Sequence, residues 1–332
     1  MHTMIVGATS WGCTLAILLD RAGSSVTVLC RSEAEAAELA RFREHRRLLP
    51  GVILPESVHF QVDPVPAGAV IFAVPAQRMR QNLRDVLPRL DGPATIVSAA
   101  KGIEVSSRLR MSQVIAAELD TAGIAAPIAV LSGPNLAREI AAGEPATTVV
   151  ASEDEAAAAT LRGLLMTPAF RVYTNSDVLG VELGGALKNV IAIGVGIGDA
   201  LNVGENGRAS FLTRGLAEMA RLGVALGANP LTFTGLACLG DLIATAASPR
   251  SRNRSVGVEL GHGRSLDDVL AGMVHIAEGV DTTRAVHQIA READVEMPIT
   301  AALHAVLFDG LPPQQAIHQL MTRDARDDVG LG

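Results

Sequence analysis

Short apolar runs, each closed by glycine, proline or a charge, recur through the first half of the chain. MIV (4–6), SVTVLC (25–30), VHFQV (58–62), AVIFAV (69–74), ATIVS (94–98) and IAVL (128–131) are strand candidates. Several are nearly continuous, as expected of strands covered on both faces. TTVVA (147–151) and FRVY (170–173) extend the same sheet. Between the first two runs, WGCTLAILLDRAG (11–23) predicts a helix with glycine at its end, and SEAE (32–35) matches a capping box with Ser32 as N-cap. This strand–helix–strand alternation predicts a doubly wound α/β domain over residues 1–175.

From about residue 176 the period changes. Helix-length segments follow one another at 177–199, 209–227, 236–246, 254–262, 266–271, 279–294, 299–308 and 312–321, and strand-like alternation disappears. An all-helical domain is therefore expected over 176–332, ending in a charged, frayed tail from Asp324 to Asp328. No internal repeat or low-complexity linker interrupts the pattern.

Composition sharpens this picture. A length of 332 residues suits two domains, each able to bury a core. Aromatics are only 3% against 48% hydrophobic residues, so the cores must be built from Ala, Val, Leu and Ile. The net charge of −7 argues against a nonspecific nucleic-acid or anionic-membrane binder. Any anionic ligand must be captured by a local basic cluster. Cys13, Cys30 and Cys238 are widely spaced and read as reduced thiols filling small core spaces. The eight histidines form no ligand-spaced pair, and no metal site is expected. With neither a signal-peptide pattern nor a long uninterrupted apolar run, the chain is expected to be soluble and cytoplasmic, with no integral membrane segment.

Candidate chemistry begins at GATSWG (7–12), after the first strand. There Gly7 suits a tight turn and Gly12 close helix packing, as in the Rossmann dinucleotide fingerprint. Thr9 replaces the middle glycine; its Cβ would crowd a pyrophosphate, although its hydroxyl could donate to phosphate. The first domain is thus read as Rossmann-like, with a generic strand–helix turn as the alternative. Where an acid would hold an NAD ribose, the second strand ends in Arg31. Arginine pairs well with a 2′-phosphate, so NADP(H) is favoured over NAD(H), against the alternative of a solvated loop arginine.

Four further clusters place polar groups among small residues. In ELGGALKNVIAIGVGIGD (182–199), helical spacing puts Gly184, Gly185, Ile191, Ala192 and Val195 on the side of Lys188. The small residues read as room for a substrate and a nicotinamide. Desolvation there would favour the neutral amine and suit Lys188 to proton transfer; the alternative is a lysine snorkelling to the surface. Asp241, after GLACLG, could hydrogen-bond substrate hydroxyls, fix a lysine ammonium, or cap a helix. Ser251, Arg252 and Asn253 suit a phosphate dianion, or else form a basic surface turn. Lys101, after an apolar strand, is a second candidate proton donor, or an exposed lysine.

SAAKGIE (98–104), LSGPNLARE (131–139), VELGGALKN, TRGLAEM, GLACLGDL (235–242), SPRSRNRSVG (248–257) and AEGV, in this order, closely resemble bacterial-type glycerol-3-phosphate dehydrogenase. The likeness runs from about residue 4 to about residue 323. It implies a Rossmann-like domain, a helical substrate domain, and a site in the crevice between them. It also implies interconversion of dihydroxyacetone phosphate and sn-glycerol 3-phosphate with NADP or NAD, supplying phospholipid synthesis. By the resemblance, Ser10, Trp11, Arg31, Ala137, Ile276 and Glu278 touch the cofactor, and Lys101 touches both ligands. Gly133, Asn135, Asp241, Ser251, Arg252 and Asn253 line the substrate, with Arg252 also reaching the cofactor. Lys188 takes the proton-transfer position. Thr9, Asn135 (for serine) and Cys238 (for glycine) depart from the family pattern, which puts local loop geometry and cofactor affinity in question. The alternatives are a β-hydroxyacid or ketopantoate type of reductase, or a non-catalytic NADP(H) sensor. The glycine-rich helices of the second half are compatible with a homodimer.

Overall fold

The computed structural model describes residues 1–324 except 91, 93, 274 and 275, so the expected tail beyond Asp324 lies outside the described residues. The chain divides into two compact units. The first comprises Met1–Lys101 and Arg110–Val178, and the second Gly102–Leu109 and the chain from Leu179 onward. The division thus falls at 178/179, beside the 175/176 of the sequence reading, and 102–109 groups with the helical unit. That grouping depends on contacts remote in sequence. Arg108, for example, pairs with Glu292 at 3.4 Å.

The first unit contains β1 (His2–Val6), α1 (Ser10–Arg21), β2 (Ser25–Leu29), α2 (Glu33–Phe42), β3 (Val58–Gln61), β4 (Ala69–Phe72) and α3 (Met79–Val86). It continues with β5 (Thr95–Ser98), α4 (Met111–Ala122), β6 (Ile128–Ser132), α5 (Ala137–Ala142), β7 (Ala146–Ala151), α6 (Glu155–Leu165) and β8 (Phe170–Asn175). Each expected apolar run forms one of these strands. They make one sheet in the order β3-β2-β1-β4-β5-β6-β7-β8. Neighbours are parallel except β6 and β7.

Side chains alternate across the sheet. Ile5, Val28, Ile71, Val97 and Leu131 join one apolar cluster with α1, α2, α5 and α6. The intervening Met4, Val70, Phe72 and Ile96 are equally buried but face the other side, as a period of two requires. Chain order reverses about β1, which lies between β2 and β4. In such sheets the crevice beyond the carboxyl ends at the reversal is where ligands bind.

The second unit contains α7 (Val178–Ala200), α8 (Gly204–Ala225), α9 (Asp241–Ala247), α10 (Arg252–Gly261), α11 (Leu266–Ala271), α12 (Glu278–Glu292), α13 (Pro298–Phe308) and α14 (Pro313–Met321). A π-helical turn, Leu236–Gly240, runs directly into α9. By length and composition α7 could cross a membrane, but 83% of its most apolar window is buried within the protein.

The glycines of α7 and α10 explain that burial. A Cβ at Gly196 would lie 2.0 Å from the Arg254 carbonyl oxygen, and one at Gly257 would lie 1.9 Å from that of Ile193. The two helices therefore approach backbone to backbone, whereas Gly194 lies beneath the ring of Phe211 on α8. The small residues on the Lys188 side of α7 (Gly184, Gly185, Ala192 and Val195) predict room for ligands. At Gly184 that space is instead filled by the Cys238 side chain, while Gly194 and Gly196, outside that set, meet Phe211 and the backbone of α10.

On α8, the buried Glu218 accepts hydrogen bonds from the amides of Ile299 (2.6 Å) and Thr300 (3.2 Å), capping α13 from another helix. Burial pushes its carboxyl up to about 7, against the opposing pull of those bonds. The native state therefore holds a proton that the unfolded chain releases near the ordinary value of 4.5. Stability attributable to this group is present below the unfolded value and falls as pH rises through about 7. Glu218→Gln should flatten the pH dependence of the urea midpoint across this window. An unchanged slope would place the titration elsewhere.

Candidate active site

In the first unit, the turn after β1 is built by contacts that only small residues allow. Gly7 has φ of +105°, and a Cβ there would lie 2.9 Å from Val74 Cγ1 and 3.0 Å from the Ala73 carbonyl oxygen. A Cβ at Gly12 would lie 2.1 Å from the Gly7 carbonyl oxygen. Thr9, the N-cap of α1, accepts from the Gly12 amide at 3.0 Å and donates its hydroxyl proton to the Ala73 carbonyl at 2.8 Å. The expectation that this hydroxyl could serve a phosphate is corrected: its proton ties the turn to the end of β4. Ser10 and Trp11, the first two residues of α1, have no carbonyl four residues back within the helix, so their amides face outward at its positive end. This is a cradle for a pyrophosphate.

Arg31 stands two residues beyond β2 with its side chain 72% exposed, paired at 3.3 Å with Glu35. An exposed pair of this kind holds its partners weakly, so the guanidinium can turn to a phosphate. Ser32 caps α2 as expected, accepting from the Glu35 amide, but Glu35 reaches back to the Arg31 amide and not to that of Ser32. Ala137 is brought to α1 through its carbonyl, which accepts from the Thr14 hydroxyl at 3.1 Å. Lys101 donates to the Gly133 carbonyl at 2.7 Å. Gly133 has φ of +140° and lies against β7. The Asn135 carboxamide is turned to β7, donating to the Thr147 carbonyl at 3.1 Å and accepting from the Thr148 hydroxyl at 3.0 Å. Its side chain braces the loop, which accounts for asparagine there. These residues fit a dinucleotide: a cradle that a Cβ would fill, outward amides at a helix N-terminus, and a cation beyond β2 where an acid would otherwise stand.

In the second unit, Lys188 is only 6% exposed and does not reach the surface. Its Nζ donates to Asp241 Oδ1 at 2.8 Å and to Thr245 Oγ1 at 2.7 Å, and Thr245 donates in turn to Asp241 at 3.2 Å. Desolvation disfavours the ammonium, while a carboxylate in contact favours it, so burial alone does not describe this lysine. Asp241 opens α9, yet the capping position is Gly240; its carboxylate is directed to α7.

The neighbouring residues join this pair to the basic turn. Asn253 donates to Asn189 Oδ1 at 2.8 Å and accepts from the Gly279 amide at 2.9 Å. A Cβ on Gly279 would lie 2.6 Å from the Asn189 carbonyl oxygen, so the start of α12 closes directly on this junction. The residue after Lys188 is thereby bonded to the residue after Arg252. Ser251 caps α10, accepting from the Arg254 amide at 3.3 Å. Exposed Arg252 donates to the Ile276 carbonyl at 2.9 Å and feels the charge of Glu278, the first residue of α12. The Asn253 side chain, expected on a phosphate, is held by these two bonds, which use one of its two N–H groups. What α10 offers an anion is its N-terminal amides, the Ser251 hydroxyl and Arg252.

Asn189 and Thr245 escaped the sequence reading because each acts through a partner more than 50 residues away. One compositional signal was available: among 28 basic residues only two are lysines, Lys101 and Lys188. Arginine serves permanent charge everywhere else, and a titratable amine is kept at these two positions.

A dinucleotide-binding α/β unit and a helical unit holding a buried lysine–carboxylate pair define a two-unit nicotinamide-dependent dehydrogenase. Models of the N-terminal and C-terminal parts of NAD-dependent glycerol-3-phosphate dehydrogenase match residues 2–158 and 177–318. The chain belongs to that family. It is 47% identical to a glycerol-3-phosphate dehydrogenase [NAD(P)+] of Dehalococcoides mccartyi, over 98% of this chain and 92% of the relative. It is 45% identical to the Chlorobium limicola protein of the same name, over 99% and 100%. A crystal structure of glycerol-3-phosphate dehydrogenase from Coxiella burnetii superposes with a TM-score of 0.91 at 36% identity, covering 97% of this chain and 99% of that one.

Gly12→Ala tests the cradle. The added Cβ must displace the Gly7 carbonyl, which should lower unfolding free energy by about 1–3 kcal/mol, as overpacking does. Urea denaturation and titration with NADPH should show reduced stability and weakened binding together.

Proposed function

We propose that this chain reduces dihydroxyacetone phosphate to sn-glycerol 3-phosphate, reversibly, with NADPH preferred over NADH, and so supplies the backbone of glycerophospholipids. Family membership supports the reaction. The carrying observation is the buried Lys188–Asp241–Thr245 cluster, joined through Asn189 and Asn253 to the N-terminus of α10. A bound dinucleotide supplies the hydride to the ketone carbon. Lys188 donates a proton to the oxygen that becomes an alkoxide, and Asp241 and Thr245 hold its ammonium in one direction while water is excluded. Arg252 and the amides of α10 anchor the phosphate, so binding energy from the non-reacting end fixes the ketone against the amine. Lys101, which donates to the Gly133 carbonyl, is the one other lysine of the chain and a second candidate donor in the reaction.

The preference for NADPH is supported by Arg31, which can accept nothing from a ribose but can pair with a 2′-phosphate. A cytoplasmic location suits a reaction that draws on a soluble nicotinamide pool. The β-hydroxyacid and ketopantoate alternatives are not favoured by a family match along nearly the whole chain. A sensor without turnover is separated from the enzyme by one assay.

NADPH absorbance at 340 nm, followed on adding dihydroxyacetone phosphate, should fall steadily in that assay, at roughly the 1–10³ s⁻¹ typical of enzymes. Unphosphorylated dihydroxyacetone should be a poor substrate; equal rates with both would remove phosphate anchoring. Lys188→Ala should lower kcat by about 10²–10⁴-fold, the usual contribution of a general acid, with NADPH affinity preserved. Near-normal turnover would discard its role. Arg31→Ala should raise the Kd for NADPH about tenfold or more and leave NADH unchanged, as loss of a charge-assisted bond predicts. Equal effects on both cofactors would refute 2′-phosphate recognition.

A further inference from the structure

Cys238 lies in the π turn Leu236–Gly240 and is fully buried. An ideal Cβ on Gly184 would sit 1.8 Å from its Sγ and 2.8 Å from its Cβ. The thiol therefore fills the volume that any side chain at 184 would need. Its Sγ also donates to the Gly180 carbonyl at 3.5 Å. Gly180, Gly184 and Lys188 are spaced four apart and share one face of α7. Cys238, Asp241 and Thr245 lie at three- and four-residue spacing on the segment that packs against that face. The contacts climb both segments in step: Cys238 on Gly180 and Gly184, then Asp241 and Thr245 on Lys188. The sulfur thus seats on Gly184 one helical turn before the ion pair. A close-packed interior transmits a change of even one methyl group. π turns also recur at functional sites, where a local change of winding aims a side chain.

We propose that Gly184 and Cys238 form a size-matched spacer that sets the Asp241 carboxylate and Thr245 hydroxyl on the Lys188 ammonium, and that both are positioning residues for the reaction. The proposal rests on the role given to Lys188 above. It differs from simple core filling in one respect. The two positions must compensate each other in catalysis and in the state of the Lys188 amine, and not only in stability.

The test compares the full-length chain with Gly184→Ala, Cys238→Gly and the double variant. Three quantities are measured: kcat and KM for dihydroxyacetone phosphate, Kd for NADPH, and the rate of Lys188 acetylation by acetic anhydride as a function of pH. Mass spectrometry resolves the label, because the sequence has only one other lysine. Gly184→Ala should lower kcat on the order of 100-fold, the cost of a misplacement of about 1 Å, with NADPH binding unchanged and the acetylation profile shifted. The double variant should return both kcat and the acetylation profile toward wild type. If Gly184→Ala alone does not fold, the alanine is judged in the Cys238→Gly background, where it should raise kcat. Recovery of melting temperature without recovery of kcat or of the acetylation profile would overturn the proposal, as would additive effects of the two changes. Absence of wild-type turnover would remove the proposed function instead. The compensation in Lys188 acetylation would then decide the spacer alone, its presence supporting it and its absence refuting it.

Discussion

The second unit is organised around a charge pair that water does not solvate. Lys188 and Asp241 are 6% and 2% exposed, on segments 53 residues apart, with their charged atoms 2.8 Å apart. Removing two such ions from water costs several kcal/mol each, and attraction offsets this only when geometry is close and the remaining donors are satisfied. Thr245 meets that condition by accepting from the ammonium and donating to the carboxylate. Everything around the pair must then be held to fractions of an ångström. The glycine contacts of α7 with α10 are suited to that, because backbone against backbone has no rotamer to adjust, and at Gly184 and Gly194 the Cys238 and Phe211 side chains fill the space a Cβ would take.

Both units carry the same helix-terminal device. At α1 and at α10 a hydroxyl side chain caps the third amide of the helix, Gly12 by Thr9 and Arg254 by Ser251. The first two amides of each helix are left at its positive end. A nearby arginine adds full charge: Arg31 beyond β2 and Arg252 within α10 itself. A protein of net charge −7 can thus present two anion-attracting helix ends without a basic surface, since the attraction is local and supplied largely by backbone dipoles.

Much of the architecture was legible along the chain. Strands covered on both faces must be nearly continuous apolar runs, which is why AVIFAV and IAVL were readable. Helices α7 to α14 were visible from their period, although α8 begins at Gly204, five residues before its expected start. The glycines near Asn202–Gly207 hid that start, since glycine weakens a helix signal when packing, not propensity, supports the helix. Lys188, Asp241, Arg252 and the 7–12 turn could be selected because charge or glycine in those surroundings has few other uses. Asn189, Thr245 and Glu218 could not, because nothing in their local spacing distinguishes them from surface polar residues. Thr9 was legible as a departure but not in its effect, which depends on a carbonyl 64 residues away.

The sequence by itself determined the two kinds of unit, the order of their elements, the dinucleotide turn and the ionisable groups available for chemistry. Those properties follow from periodicity and residue type, which act over a few neighbouring positions. Only the tertiary structure decided what the small residues of α7 are for, which carboxylate meets Lys188, and that Asn253 positions its neighbours while Arg252 remains exposed. These depend on close approach between helices far apart in the chain. Such approach is fixed by steric fit and by the need to pair buried charge, and neither leaves a periodic trace in the sequence.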